Sequence, residues 1–225
     1  MRTDMTDETV VREFVPSVNG LHFANRWEPG PTVRLGPIDP RWVGIGDAKD
    51  GLCGGMCWFV RERFEAGLPI PADRAAPANG STLFRAIVGR QIRSLRWLTV
   101  PWRFWRAASK PVDALARATI TMEWPRIRAT LDGGHLALVG LIRHHGWSPM
   151  QLSRDHQVLA FGYSVDPGSG SITLRLYDPN HPDRDDVTLT LSLAGHTQST
   201  GEQLLGVIAL SLTRPRHSSS RAASD

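Results

Sequence analysis

Lysine is almost missing from this chain. Only Lys49 and Lys110 occur in 225 residues, so nearly all of the 26 basic residues are arginine. Against 22 acidic residues they leave a formal net charge of +4. An excess that small, spread along this length, gives no concentrated basic face, and no nucleic acid is expected as a partner. Long apolar runs are missing too. No stretch approaches the roughly 18 apolar residues of a membrane span, so no membrane span is expected. Met1 to Glu13 alternates charged and polar residues and lacks the apolar core of a signal peptide. Cysteine is scarce: Cys53 and Cys57 are the two, four residues apart. On a helix they would share one face, with poor geometry for a disulfide. Together these absences predict a reduced, cytoplasmic setting.

Hydrophobic residues make up 41% of the chain and charged residues 21%, the balance of a globular protein with a core. At this length one domain is the simplest arrangement. Residues 1–20 read as a polar leader, 21–213 as a single domain, and 214–225 as a disordered Ser/Arg-rich tail. Within the domain, 21–50 is irregular, with a short strand at Thr32-Val33-Arg34-Leu35. A helix is predicted after Cys53, because Met56, Phe59, Val60 and Phe64 recur at three- and four-residue steps before Gly67 and Pro69 stop it. A loop over 70–80 leads to a second helix over 81–95, capped by Ser81 or Thr82, with Leu83, Ile87, Ile92 and Leu95 inward. Trp97, Trp102 and Trp105 lie among Arg96, Arg103 and Arg106; this segment reads as an Arg-studded helix whose Trp residues enter the core. A third helix is predicted over 111–131, interrupted near Pro125.

From there the pattern changes to period two. Strands are predicted over 135–143, 156–165, 171–178, 186–193 and 204–213. Asp166-Pro167-Gly168-Ser169-Gly170 is the turn between two of them. Helices therefore fill about 53–131 and strands about 132–213. That order predicts an α+β fold, a helical lobe packed on an antiparallel β-sheet lobe.

Three residue types in these contexts point to chemistry. Cys53 lies among glycines in Gly51-Leu52-Cys53-Gly54-Gly55-Met56, where the first helix begins. His156 opens an apolar strand, 103 residues later. Asp178 closes the next strand in Tyr177-Asp178-Pro179-Asn180. A thiol becomes a strong nucleophile when a helix N-terminus and an imidazolium stabilise its thiolate. A carboxylate can then fix the tautomer of the imidazole. Cys53, His156 and Asp178 are the expected catalytic residues. Cys57 is the alternative nucleophile and Asn180 the alternative orienter. Gly54 and Gly55 are expected to bind substrate, letting its backbone pass close to the thiol. On that reading Gly55→Val folds at modest stability cost. The loops over 69–80 and 144–154 would flank the site, the second of them rimming the cleft on the His156 side. The remaining histidines lack metal-ligand spacing with the cysteines, so no metal and no other cofactor is expected.

These motifs resemble the papain-like cysteine peptidase superfamily in its broad sense. His156-Gln157-Val158-Leu159-Ala160-Phe161-Gly162-Tyr163 is similar to the family's histidine strand, and Tyr177-Asp178-Pro179-Asn180 to the Asp-Pro ending of bacterial branches. Cys57-Trp58 matches the Cys-Trp of plant and lysosomal papain relatives. The chain from about Trp42 to Thr190 resembles uncharacterised bacterial and fungal papain-like proteins with Gly-Leu-Cys-Gly-Gly-Met and Tyr-Asp-Pro-Asn. The resemblance implies a papain-like fold, with the nucleophile at the start of a central helix and the histidine and its orienter on consecutive strands. It also implies a peptidase or amidase acting on a peptide or other amide-containing substrate. A transglutaminase-type acyl transferase and a non-catalytic binding module with the same fold are the rival readings. Papain relatives supply an oxyanion donor from an upstream glutamine. No Gln precedes Cys53 here, which leaves the backbone N–H of Cys53 and demands a second donor from elsewhere.

Overall fold

The computed structural model describes residues 7–28, 51–94, 106–107, 109–143 and 156–210. In chain order the elements are β1 (Asp7–Val10), α1 (Pro16–Asn19), α2 (Cys53–Glu65), α3 (Thr82–Ser94), α4 (Val112–Ala118), a π-helical turn (Thr119–Glu123) and α5 (Trp124–Asp132). They continue with β2 (Ala137–Ile142), β3 (His156–Val165), β4 (Ile172–Tyr177), β5 (Thr188–Ser192), β6 (Gly195–Gln198), β7 (Gln203–Leu204) and β8 (Gly206–Leu210). The fold is α+β. All eight strands form one antiparallel sheet in the order β7-β6-β5-β4-β3-β2-β8, with β1 added on β3.

β3 is the spine of the sheet: its first eight residues are buried, and a strand buried on both faces draws on the apolar run from Val158 to Phe161. On one edge its first half pairs with β2, from Leu141↔His156 to Ala137↔Ala160, and its second half with β1, from Val10↔Gly162 to Asp7↔Val165. β4 covers the other edge, where a bulge separates Ala160 from Gly162. Gly162 is required there: a Cβ would come within 2.9 Å of the Thr9 carbonyl on β1.

α2 and α3 form where the apolar spacing placed them, while the short α1 lies inside the expected polar leader. On α2, Met56, Phe59 and Val60 are buried, and the helix ends before Gly67, whose φ is +64°. On α3, Ile87 is fully buried, Leu83 and Ile92 pack on the core, and Ser81 accepts the Phe84 N–H as the cap. The break expected near Pro125 is milder than a break. Pro125 sits in the first turn of α5, where its missing N–H costs nothing, and the π-helical turn carries the chain there from α4. In that turn Thr119 Oγ1 accepts the Val207 N–H at 3.0 Å, locking the helices to β8.

Three strands escape the sequence pattern. Asp7–Val10 lies inside the expected polar leader, yet it pairs with β3, and Val11, Phe14 and Leu21 beyond it are buried. β6 and β7 are too short and too polar to show alternation. The strand expected at Thr32–Leu35, the Arg/Trp segment up to Trp105, Leu95, the loop 144–154 and the tail lie outside the described residues.

Candidate active site

The sheet register brings two of the expected residues together. Leu159 of β3 pairs with Tyr177 of β4. The start of β3 therefore lies beside the end of β4, and His156 meets Asp178 there. His156 Nε2 is 2.6 Å from Asp178 Oδ1, with side chains 3% and 1% exposed. The helix supplies the third residue. Cys53 is the first residue of α2, and its sulfur is hydrogen-bonded to the His156 side chain. Cys53, His156 and Asp178 thus form one bonded row across the junction of helix and sheet.

Burial alone would push the Cys53 thiol up. The His156 hydrogen bond and positive charge, with the backbone N–H groups of Gln157 and Gly54, outweigh it and hold the thiol below its ordinary value. Burial likewise works against the imidazolium, but the Asp178 charge and hydrogen bond, then Cys53, raise His156 to about 9. Asp178 also overcomes its burial. His156, the Asn180 N–H at 2.8 Å and Gln198 Nε2 at 2.6 Å lower it to about 2. These shifts all favour the charged forms, a thiolate beside an imidazolium and an ionised carboxylate.

The other sequence candidates sit differently. Cys57, one turn on, points its S–H at the Gln157 carbonyl, 3.4 Å away. Burial, then the charges of Cys53 and Asp178, pushes its thiol well above the usual range. Asn180 does not reach His156. Its N–H goes to Asp178 and its Oδ1 faces Asn25 Nδ2 at 3.4 Å. Gly54 and Gly55, expected to face substrate, face protein. A Cβ on Gly54 would lie 2.5 Å from Gln157 Oε1, and one on Gly55 would run into the Ile87 carbonyl of α3. The tolerance expected for Gly55→Val is therefore corrected: the glycine is where α2 and α3 touch, and valine cannot fit without parting them.

Several supporting residues went unread in the sequence. Asn25 is the strut of the site. Its Oδ1 accepts the Leu52 N–H at 2.7 Å and the Trp27 indole N–H at 2.9 Å, and its own N–H donates to the Pro179 carbonyl at 2.8 Å. It thus ties the start of α2 to the loop that carries Asp178. Gln91 of α3 accepts the Gly55 N–H at 2.6 Å. With Leu52 N–H on Asn25 and Gly54 N–H on the Cys53 sulfur, the Cys53 N–H is left without a partner among the described residues. No spacing rule links Asn25 or Gln198 to Cys53, because their roles exist only after folding. Gln157 alone had a signal, its place directly after His156. Among the described residues no group of three or more His, Cys, Asp or Glu side chains is arranged to hold a metal ion, and no helix is long and apolar enough to cross a membrane. Comparison with protein-family models, with curated proteins and with solved structures gives no match.

Proposed function

We propose that this protein is a cysteine hydrolase of the papain-like kind, cleaving an amide or related acyl bond. The observation that carries the reading is the bonded row Cys53–His156–Asp178 with the thiol at a helix start. In this reading the Cys53 thiolate attacks the substrate carbonyl carbon. Negative charge develops on the carbonyl oxygen, and the Cys53 N–H at the positive end of α2, which has no partner among the described residues, is the donor that faces it. His156 gives its proton to the leaving nitrogen, the C–N bond breaks, and a thioester forms on Cys53. Neutral His156 then takes a proton from water as the water oxygen attacks the thioester. Collapse of that second intermediate releases the acid and restores the thiolate–imidazolium pair. Asp178 keeps the imidazole oriented and its positive charge stabilised throughout.

The burial of His156 and Asp178 suits this role, since charge pairs act more strongly away from water. The test is labelling of the native and the unfolded chain by a peptidyl acyloxymethyl ketone, a probe that alkylates an activated thiol. Reaction at Cys53 confined to the folded protein, and lost in His156→Ala, is the expected result. Equal labelling of folded and unfolded chains would mean an inert thiol and a binding module.

A further inference from the structure

β6 stands two places from β4 in the sheet, with β5 between them. Its last residue nevertheless reaches the site: Gln198 Nε2 donates to Asp178 Oδ2 at 2.6 Å. The strand alternates exposed and buried residues, which turns His196 and Gln198 inward. The turn after it pins the Gln198 backbone, whose N–H donates to the Glu202 carbonyl and whose carbonyl accepts the Gly201 N–H, both at 2.9 Å. The two oxygens of Asp178 are held differently. Oδ1 takes His156 Nε2 at 2.6 Å and the Asn180 N–H at 2.8 Å, and Gln198 is the one donor on Oδ2 among the described residues. Asp178 and Gln198 are each 1% exposed, so solvent offers Oδ2 little in exchange. The amide also carries a cost. Its Oε1 is buried without a hydrogen-bond partner among the described residues, and turning the amide over would set that oxygen against the carboxylate. Methionine would fill nearly the same volume with no unpaired oxygen. Packing alone does not explain a glutamine here; the carboxylate does.

We infer that Gln198 is a positioning residue: its amide holds the Asp178 carboxylate turned toward His156, and through it the imidazole toward Cys53. The inference rests on the acyl-transfer reading above. An aspartate turns readily about its last side-chain bond, whose preference is broad. A carboxylate gripped at Oδ1 alone keeps that freedom, and a second grip at Oδ2 removes it. The grip also favours the ionised form. Burial raises the Asp178 carboxyl, but the His156 charge and hydrogen bond, the Asn180 N–H and then the Gln198 amide hold it at about 2. Without the amide the carboxylate swings from the imidazole, the imidazolium loses support, and the thiolate paired with it forms at higher pH.

The experiment follows iodoacetamide labelling of Cys53 against pH in the full chain, with Cys57 as the internal reporter of unfolding. In Gln198→Met the acidic limb of the profile moves up by about one pH unit, the scale of one hydrogen bond to a charged group. A side chain that merely filled space would leave that limb where it is. In Asp178→Asn the same substitution moves nothing further, because Gln198 acts only through the carboxylate. An unmoved limb in folded Gln198→Met, with Cys57 unlabelled, overturns the inference, as does an equal shift in both backgrounds. Should Gln198→Met fail to fold, Gln198→Asn, which keeps an amide but draws it back by one methylene, must move the limb in the same direction; an unmoved limb there overturns the role of Gln198 as well. Each of these results leaves wild-type Cys53 labelled, so it bears on Gln198 alone. Failure of iodoacetamide to label wild-type Cys53 overturns the thiol reading, and this inference with it.

Discussion

Gly55 and Gly89 carry the same substitution to opposite outcomes. Both are helical glycines, Gly55 in α2 and Gly89 in α3. Alanine gains about 0.5–1 kcal/mol over glycine in a helix. At Gly89 nothing lies within 4 Å of the added Cβ. Gly89→Ala should therefore stabilise by about that amount, raising Tm by roughly 2–3 °C for a chain of this size. At Gly55 the Cβ meets the Ile87 carbonyl closer than 3.0 Å, and Gln91 Cβ and N at 3.1 Å. The obstacle is mostly backbone of α3, so the two helices must move apart. Overpacking of this sort costs about 1–3 kcal/mol, and strain on the Gly55 N–H to Gln91 bond adds roughly 1 kcal/mol. Set against the helix gain, Gly55→Ala should lose about 1–3 kcal/mol, or roughly 3–10 °C. Thermal denaturation followed by circular dichroism measures both. A Gly55→Ala variant as stable as the wild type would refute the close α2–α3 packing that sets the start of α2.

Other substitutions probe the bonded row and its supports. Asp178→Asn removes the charge that raises His156, so alkylation of Cys53 at pH 6 should slow by about tenfold or more, measured by mass spectrometry of the labelled peptide. Asn25→Ala orphans the Leu52 and Trp27 N–H groups and should cost about 2 kcal/mol in urea denaturation, with slower Cys53 labelling because α2 loses its tie to the Asp178 loop. Stability should also depend on pH through two groups. His156, raised from 6.5 to about 9, contributes fully below about 6.5 and ceases to contribute as pH climbs through 9. Asp178, lowered from 3.8 to about 2, contributes above about 3.8 and ceases as pH falls through 2. A denaturation series in which His156→Gln leaves the alkaline limb unchanged would contradict the first of these.

The elements that could be read beforehand are those whose pattern is carried by apolar side chains. α2, α3 and β2 to β5 bury faces of regular period, and their predicted limits lie within two residues of the observed ones. β1 and β6 were hidden because backbone pairing, not burial of a hydrophobic face, makes them strands; β1 is exposed along most of its length. At the site, Cys53, His156 and Asp178 stood out because each begins or ends an element. Asn25, Gln91 and Gln198 could not, since each acts through one contact made across the fold. The two glycines were misjudged for a related reason. Sequence shows that a side chain is absent, and only packing shows what occupies the space. For Gly54 it is Gln157 and for Gly55 it is α3.

The most direct test of the thiolate–imidazolium pair is the rate of iodoacetamide alkylation at pH 6, resolved by mass spectrometry into Cys53 and Cys57 and compared with free glutathione. His156 holds the Cys53 thiol below its ordinary value, while burial pushes the Cys57 thiol up. Cys53 should react faster than glutathione at this pH, and Cys57 should react only once the protein is unfolded. A Cys53 rate no greater than that of glutathione, or faster reaction at Cys57, would contradict the pair and the chemistry built on it.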